Sequence, residues 1–132
     1  MQQKHSWLRL LCVAVVALFS LSAMAQEPVI DKPEHCPHFQ GGDAGLMKFL
    51  CDNMKYPKEA ELQKKQGRVV VQMVVEKDGS LSDVKVVKNS DPLLDEEALR
   101  VVRLTDKKWT PARHKGKTVR SRFSLPVTFR LN

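Results

Sequence analysis

The chain has 132 residues, 28% of them charged, and a formal net charge of +7 at neutral pH. That length suits one small domain rather than a multidomain assembly. The basic residues are interspersed with acidic ones instead of forming a block, so nucleic acid is not an expected partner.

Residues 1–25 read as an export signal. Lys4 and Arg9 supply a positive start, residues 10–21 (LLCVAVVALFSL) are apolar, and Ser22-Ala23-Met24-Ala25 ends in a small-x-small cleavage pattern. The apolar stretch of about 15 residues falls short of the ~20 that a bilayer span needs. A cleaved signal peptide is therefore the first reading and an uncleaved inner-membrane anchor the second. Leu11 is too large for the small residue that precedes a lipoprotein cysteine, so Cys12 reads as an apolar member of this stretch. Cleavage after Ala25 would leave 107 residues and, with Lys4 and Arg9 gone, a charge of +5. The expected location is the periplasm or, with the anchor retained, the inner membrane facing it.

Residues 26–40 hold three prolines and little apolar periodicity, which predicts an extended, poorly ordered lead-in to a domain over 41–132. Asp43 then stands where it can cap a helix whose apolar face is Leu46, Phe49, Leu50 and Met54. Tyr56-Pro57 ends that helix, since the residue before proline is pushed out of the α region. A short helical stretch over 58–65 follows.

Residues 68–77 (RVVVQMVVEK) alternate as a strand with Val69, Val71, Met73 and Val75 on one face. Asp78-Gly79 is a favoured hairpin pair, and residues 84–88 form the returning strand. Asp91-Pro92 opens a helix with a stripe of Leu94, Ala98, Val101 and Leu104. Asp95, Glu96 and Glu97 complement its positive end, and Lys107 and Lys108 its negative end. In the last strand, Val119, Ser121, Phe123, Leu125, Val127, Phe129 and Leu131 share one face. Arg120, Arg122, Ser124, Pro126, Thr128 and Arg130 share the other. The order predicts an α+β fold, with two helices packed on a small antiparallel sheet of about three strands.

Several of these residues form a longer pattern. Tyr56-Pro57-x-x-Ala60, Gly67-x-Val69-x-Val71, Asp78-Gly79, Val84-Lys85-Val86-Val87 and residues 93–102 (LLDEEALRVV) are followed by Trp109-x-Pro111-Ala112. Phe123-Ser124-Leu125-Pro126-Val127-x-Phe129 closes it, and Phe39-Gln40-Gly41-Gly42 precedes it. This sequence resembles the TonB C-terminal domain family in order along about 90 mature residues, far more than one short motif. The resemblance implies binding of a short N-terminal peptide of an outer-membrane TonB-dependent transporter as an extra strand. It also departs from a full transducer: neither a convincing motor-engaging anchor nor a long proline-rich spacer is evident. With residues 1–25 retained, an energy transducer working with an inner-membrane motor complex remains open. So does a structural envelope domain that pairs with itself as a homodimer.

Proline narrows the geometry of the last strand. Pro126 cannot donate to a ladder, so the even-numbered set should aim its backbone outward at a sheet edge. That places the peptide-binding edge on Arg120, Ser121, Arg122, Phe123 and Ser124. The same arginines would also serve simply to protect the edge by charge.

No Gly-rich phosphate loop or nucleophile–base pair appears, so neither an enzyme nor a cofactor is expected. His114 lies in a basic loop and reads as solvent-exposed, while Trp109 reads as a core residue. His35, Cys36, His38 and Cys51 carry metal-ligating chemistry but lack paired ligand spacing, and no metal is expected. Cys36 and Cys51, about 15 residues apart, are a candidate disulfide that would contribute ~3 kcal/mol, with free thiols the alternative. Alkylation without reductant, read by intact mass, decides between them: a disulfide leaves both cysteines unlabelled, and two labels rule it out.

Overall fold

The computed structural model describes residues 27–132, so the signal or anchor expected over 1–25 lies outside the described residues. In chain order the elements are β1 (His38–Phe39), α1 (Gly42–Asn53), α2 (Lys58–Leu62), β2 (Gly67–Val75) and β3 (Leu81–Lys88). They continue with α3 (Pro92–Arg103), β4 (Trp109–Thr110), β5 (Ala112–His114), β6 (Lys117–Val119) and β7 (Ser121–Phe129).

The main sheet has the order β3-β2-β7 and is antiparallel throughout. Strand residues two apart share a face, so Val69, Val71, Met73 and Val75 of the central strand are all fully buried. Helix α3 lays Leu94, Ala98, Val101 and Val102 on that core, and α1 adds Leu46 and Leu50. The α+β architecture is thus as expected, with α2 as a third, one-turn helix.

The β2–β3 hairpin closes more widely than a two-residue Asp-Gly turn. Gly79 N–H donates to the Glu76 carbonyl at 3.0 Å, and Glu76 N–H to the Ser80 carbonyl at 2.8 Å. The loop is therefore Lys77, Asp78 and Gly79, with Gly79 at φ 85, the left-handed position such a loop ends on. Asp78 accepts the Ser80 N–H at 3.0 Å, which tightens the turn. Any Cβ at Gly79 would strike the Trp109 carbonyl.

The helix ends differ from expectation. Gly41, at φ 102, is the N-cap of α1 and no side chain caps it, so Asp43 acts only as a first-turn charge. Helix α3 is capped by Asp91, which accepts the Leu93 N–H at 3.0 Å. It stops at Arg103, so Arg100 and Arg103, not Lys107 and Lys108, stand in its last turn. Leu104, expected in the buried stripe, is 43% exposed because Val102 takes the inward position. Glu97 lies beyond the first turn. It accepts the Lys55 N–H at 2.6 Å and pairs with Arg100, whose Nη2 donates to the Asn53 carbonyl at 2.8 Å, tying α1 to α3.

The last strand is also interrupted. Val119 pairs with Ala112 in the β5–β6 hairpin, and only from Ser121 does the chain join β2. Before α1, β1 pairs with β4, setting Phe39, a member of the buried core, opposite Trp109.

Trp109 is buried and packs edge-on to Phe39, with centroids 5.8 Å apart, and 5.3 Å from the Phe123 ring. Its Nε1 donates to Thr105 Oγ1 at 2.9 Å, and that hydroxyl donates to the Val102 carbonyl at 2.6 Å. Thr105→Val keeps the shape but strands a buried indole N–H, so it should cost about 1–3 kcal/mol. Urea denaturation checks this; an unchanged midpoint would mean that the buried pair contributes nothing.

Candidate strand-addition edge

β7 pairs with β2 over nine consecutive positions, Gly67 with Phe129 through Val75 with Ser121. Its core side is Ser121, Leu125, Val127 and Phe129, all buried, while Ser124, Pro126 and Thr128 are exposed. The outer side is already in use at one end. Ile30 N–H donates to the Arg120 carbonyl at 2.9 Å, and Arg122 N–H donates to the Ile30 carbonyl at 3.1 Å. Arg120 and Arg122 therefore aim their backbone groups outward, and Pro126, in the same alternation, lacks only an outward donor. Ser121 is fully buried, and its Oγ has no hydrogen-bond partner among the described residues.

The opposite edge is less regular. The β2–β3 register shifts twice, and Asp83 in β3 sits at φ 48. Such a bulge twists an edge away from incoming strands.

Arg120 is committed within the fold. Its Nε and Nη2 hold the two oxygens of Glu76 at 2.7 and 3.0 Å, and Nη1 donates to the Glu27 carbonyl at 2.7 Å. The hydrogen bonds from Arg120 hold the Glu76 carboxyl below its usual range, against the upward push of burial, and the Ser82 hydroxyl helps. The same pairing raises Arg120. Arg122 instead reaches Asp31, with Nε 3.0 Å from Oδ1.

Residues 52–131 match the family described as the Gram-negative bacterial TonB protein C-terminal. The chain belongs to this family. Two solution structures of the Helicobacter pylori TonB C-terminal domain are similar in fold. One has 26% identity and a TM-score of 0.52, over 66% of this chain and 78% of that one. The other, a shorter piece, has 25% identity and a TM-score of 0.50, over 65% and 89%. No curated protein matches. Membership implies a TonB-like role in TonB-dependent transport, in the periplasm of Gram-negative bacteria, and TonB C-terminal domains are not enzymes. Among the described residues, no helix is long and apolar enough to cross a membrane.

The TonB family-motif residues act as framework. Tyr56 donates its hydroxyl to the Lys65 carbonyl and stacks edge-on against Phe129 at 5.8 Å. Burial, then Glu61, raises its hydroxyl above the ordinary value. Pro57 caps α2, and a Cβ on Gly67 would overlap Ser90 Oγ. Pro111 links β4 to β5, half-buried. His114 is half-buried rather than free in solvent, and its Nδ1 accepts the Glu34 N–H at 3.2 Å. Cys36 and Cys51 are exposed free thiols. The contribution of residues 27–31 to the edge had no periodic signal that could have revealed it.

Because Glu76 is depressed in the folded state, its pair stabilises above the unfolded carboxylate value, and that contribution is lost as pH falls through the folded value. Glu76→Gln should cost about 1–2 kcal/mol at neutral pH, with the gap to wild type closing below about pH 4. Denaturation across pH tests this, and a gap independent of pH would refute the ionised pair as its source.

Proposed function

We propose that this domain is a periplasmic TonB-like peptide-binding module for TonB-dependent transport. It takes the N-terminal peptide of an outer-membrane transporter as an added strand on β7. The observation that carries the reading is the pair of outward hydrogen bonds at Arg120 and Arg122, where an extended segment already lies against the edge. An edge with regular pairing behind it offers main-chain affinity, and side chains on alternate residues supply specificity. Past Arg122, Ser124 and Thr128 continue the same outward set, with Pro126 as a gap in its donors. The irregular register of β3 favours β7 as the receiving edge.

Binding of synthetic transporter N-terminal peptides, followed by amide chemical shifts, tests the reading. Shifts should centre on Arg122, Ser124 and Thr128. Ser124→Pro removes one outward donor, as Pro126 already does, and should leave the fold intact while weakening binding about fivefold. Phe123→Pro removes an inward donor and should unfold the sheet. Shifts confined to β3, or unchanged affinity in Ser124→Pro, would refute the assignment to β7.

A further inference from the structure

The lead-in is extended, as its prolines suggest, but it is docked. Ile30 forms a parallel bridge to Ser121 and makes both backbone hydrogen bonds to the β7 edge. Side chains add to them. Asp31 meets Arg122, Glu27 pairs with Lys77, and the Glu27 carbonyl accepts from Arg120. Farther along, His35 and Arg113 exchange two backbone hydrogen bonds of 3.0 Å. That second attachment keeps residues 27–31 beside the edge at high effective concentration.

The clamp is also limited in length. The residue two before Ile30 that would next face β7 is Pro28, which has no N–H to give. On the other side the chain bends at Asp31 and Lys32 and meets Pro33. One residue therefore does the pairing. Asp31 is largely exposed, at 74%, so its ion pair with Arg122 adds little. A longer extended peptide could pair at Ser124 and Thr128 as well, which the lead-in does not reach.

We infer that residues 27–31 are an intramolecular occupant of the β7 edge that competes with any strand added there. The inference rests on the strand-addition reading above and gives that site a resting, covered state. An incoming peptide would engage the open stretch beyond Arg122 first and displace Ile30 from Arg120 and Arg122 second.

Ile30→Pro removes the donor to Arg120 and opens the edge, whereas Ile30→Val retains it. The probe is a synthetic peptide of residues 26–33 added to purified protein and followed by amide chemical shifts. It should bind Ile30→Pro at the Arg122 amide, and wild type and Ile30→Val about fivefold more weakly or not at all. In the absence of the peptide, the Arg122 amide should exchange with solvent faster in Ile30→Pro than in wild type. Equal binding to wild type and Ile30→Pro, no binding to Ile30→Pro, or unchanged Arg122 exchange would overturn the competition. If the lead-in peptide binds Ile30→Pro while transporter peptides do not, the covered edge stands and the transporter reading fails.

Discussion

In a strand, the N–H and C=O of one residue point to one side and those of the next to the other. On β7 this alternation is fixed twice over. Burial of Ser121, Leu125, Val127 and Phe129 turns the odd-numbered side chains to the core. Pro126, which cannot donate, is tolerable only where no ladder bond is required. Both constraints select the same register, and a slip by one residue would expose the core face and place proline inside the ladder. The outward set, Arg120 through Thr128, follows from this and from nothing more local.

Arg120 is the pivot on which the outward set begins. It separates β6 from β7, so the chain leaves one hairpin and enters the main sheet within a single residue. Its guanidinium is bound to Glu76 at the end of β2 and to the Glu27 carbonyl of the lead-in. The charge that the sequence offers at this position is therefore a fold contact. On the proposed reading Arg120 offers an added strand its backbone carbonyl, while Arg122, whose side chain meets the exposed Asp31 among the described residues, keeps a side chain that a partner could recruit.

The parts of the fold that were legible in the sequence are those set by neighbours in the chain. The alternation of Val69, Val71, Met73 and Val75, the Asp78-Gly79 turn and the Asp91-Pro92 helix start each depend on local backbone preferences. The break at Arg120 left no trace in the pattern, because Val119 and Ser121 keep the same parity on either side of it. Glu97 reads in the sequence as a helix-terminus charge because the Lys55 N–H it accepts lies in the distant connection between α1 and α2. The docked lead-in depends on Arg113, Arg120 and Arg122, about 80 to 90 residues away, and no short-range periodicity carries such information.

A sheet edge kept open for a partner is also open to wrong pairing, including with another copy of the same chain. The two edges meet this conflict in different ways. β3 is spoiled permanently by its bulge at Asp83 and by Lys85 and Lys88 along its length. β7 cannot be spoiled in the same manner without losing the regular backbone that strand addition uses. A removable cover reconciles the two demands, and its strength is bounded on both sides. It must outcompete casual contacts through its tether, yet pair too briefly to resist a longer strand. One paired residue between Pro28 and the bend at Asp31 satisfies both limits.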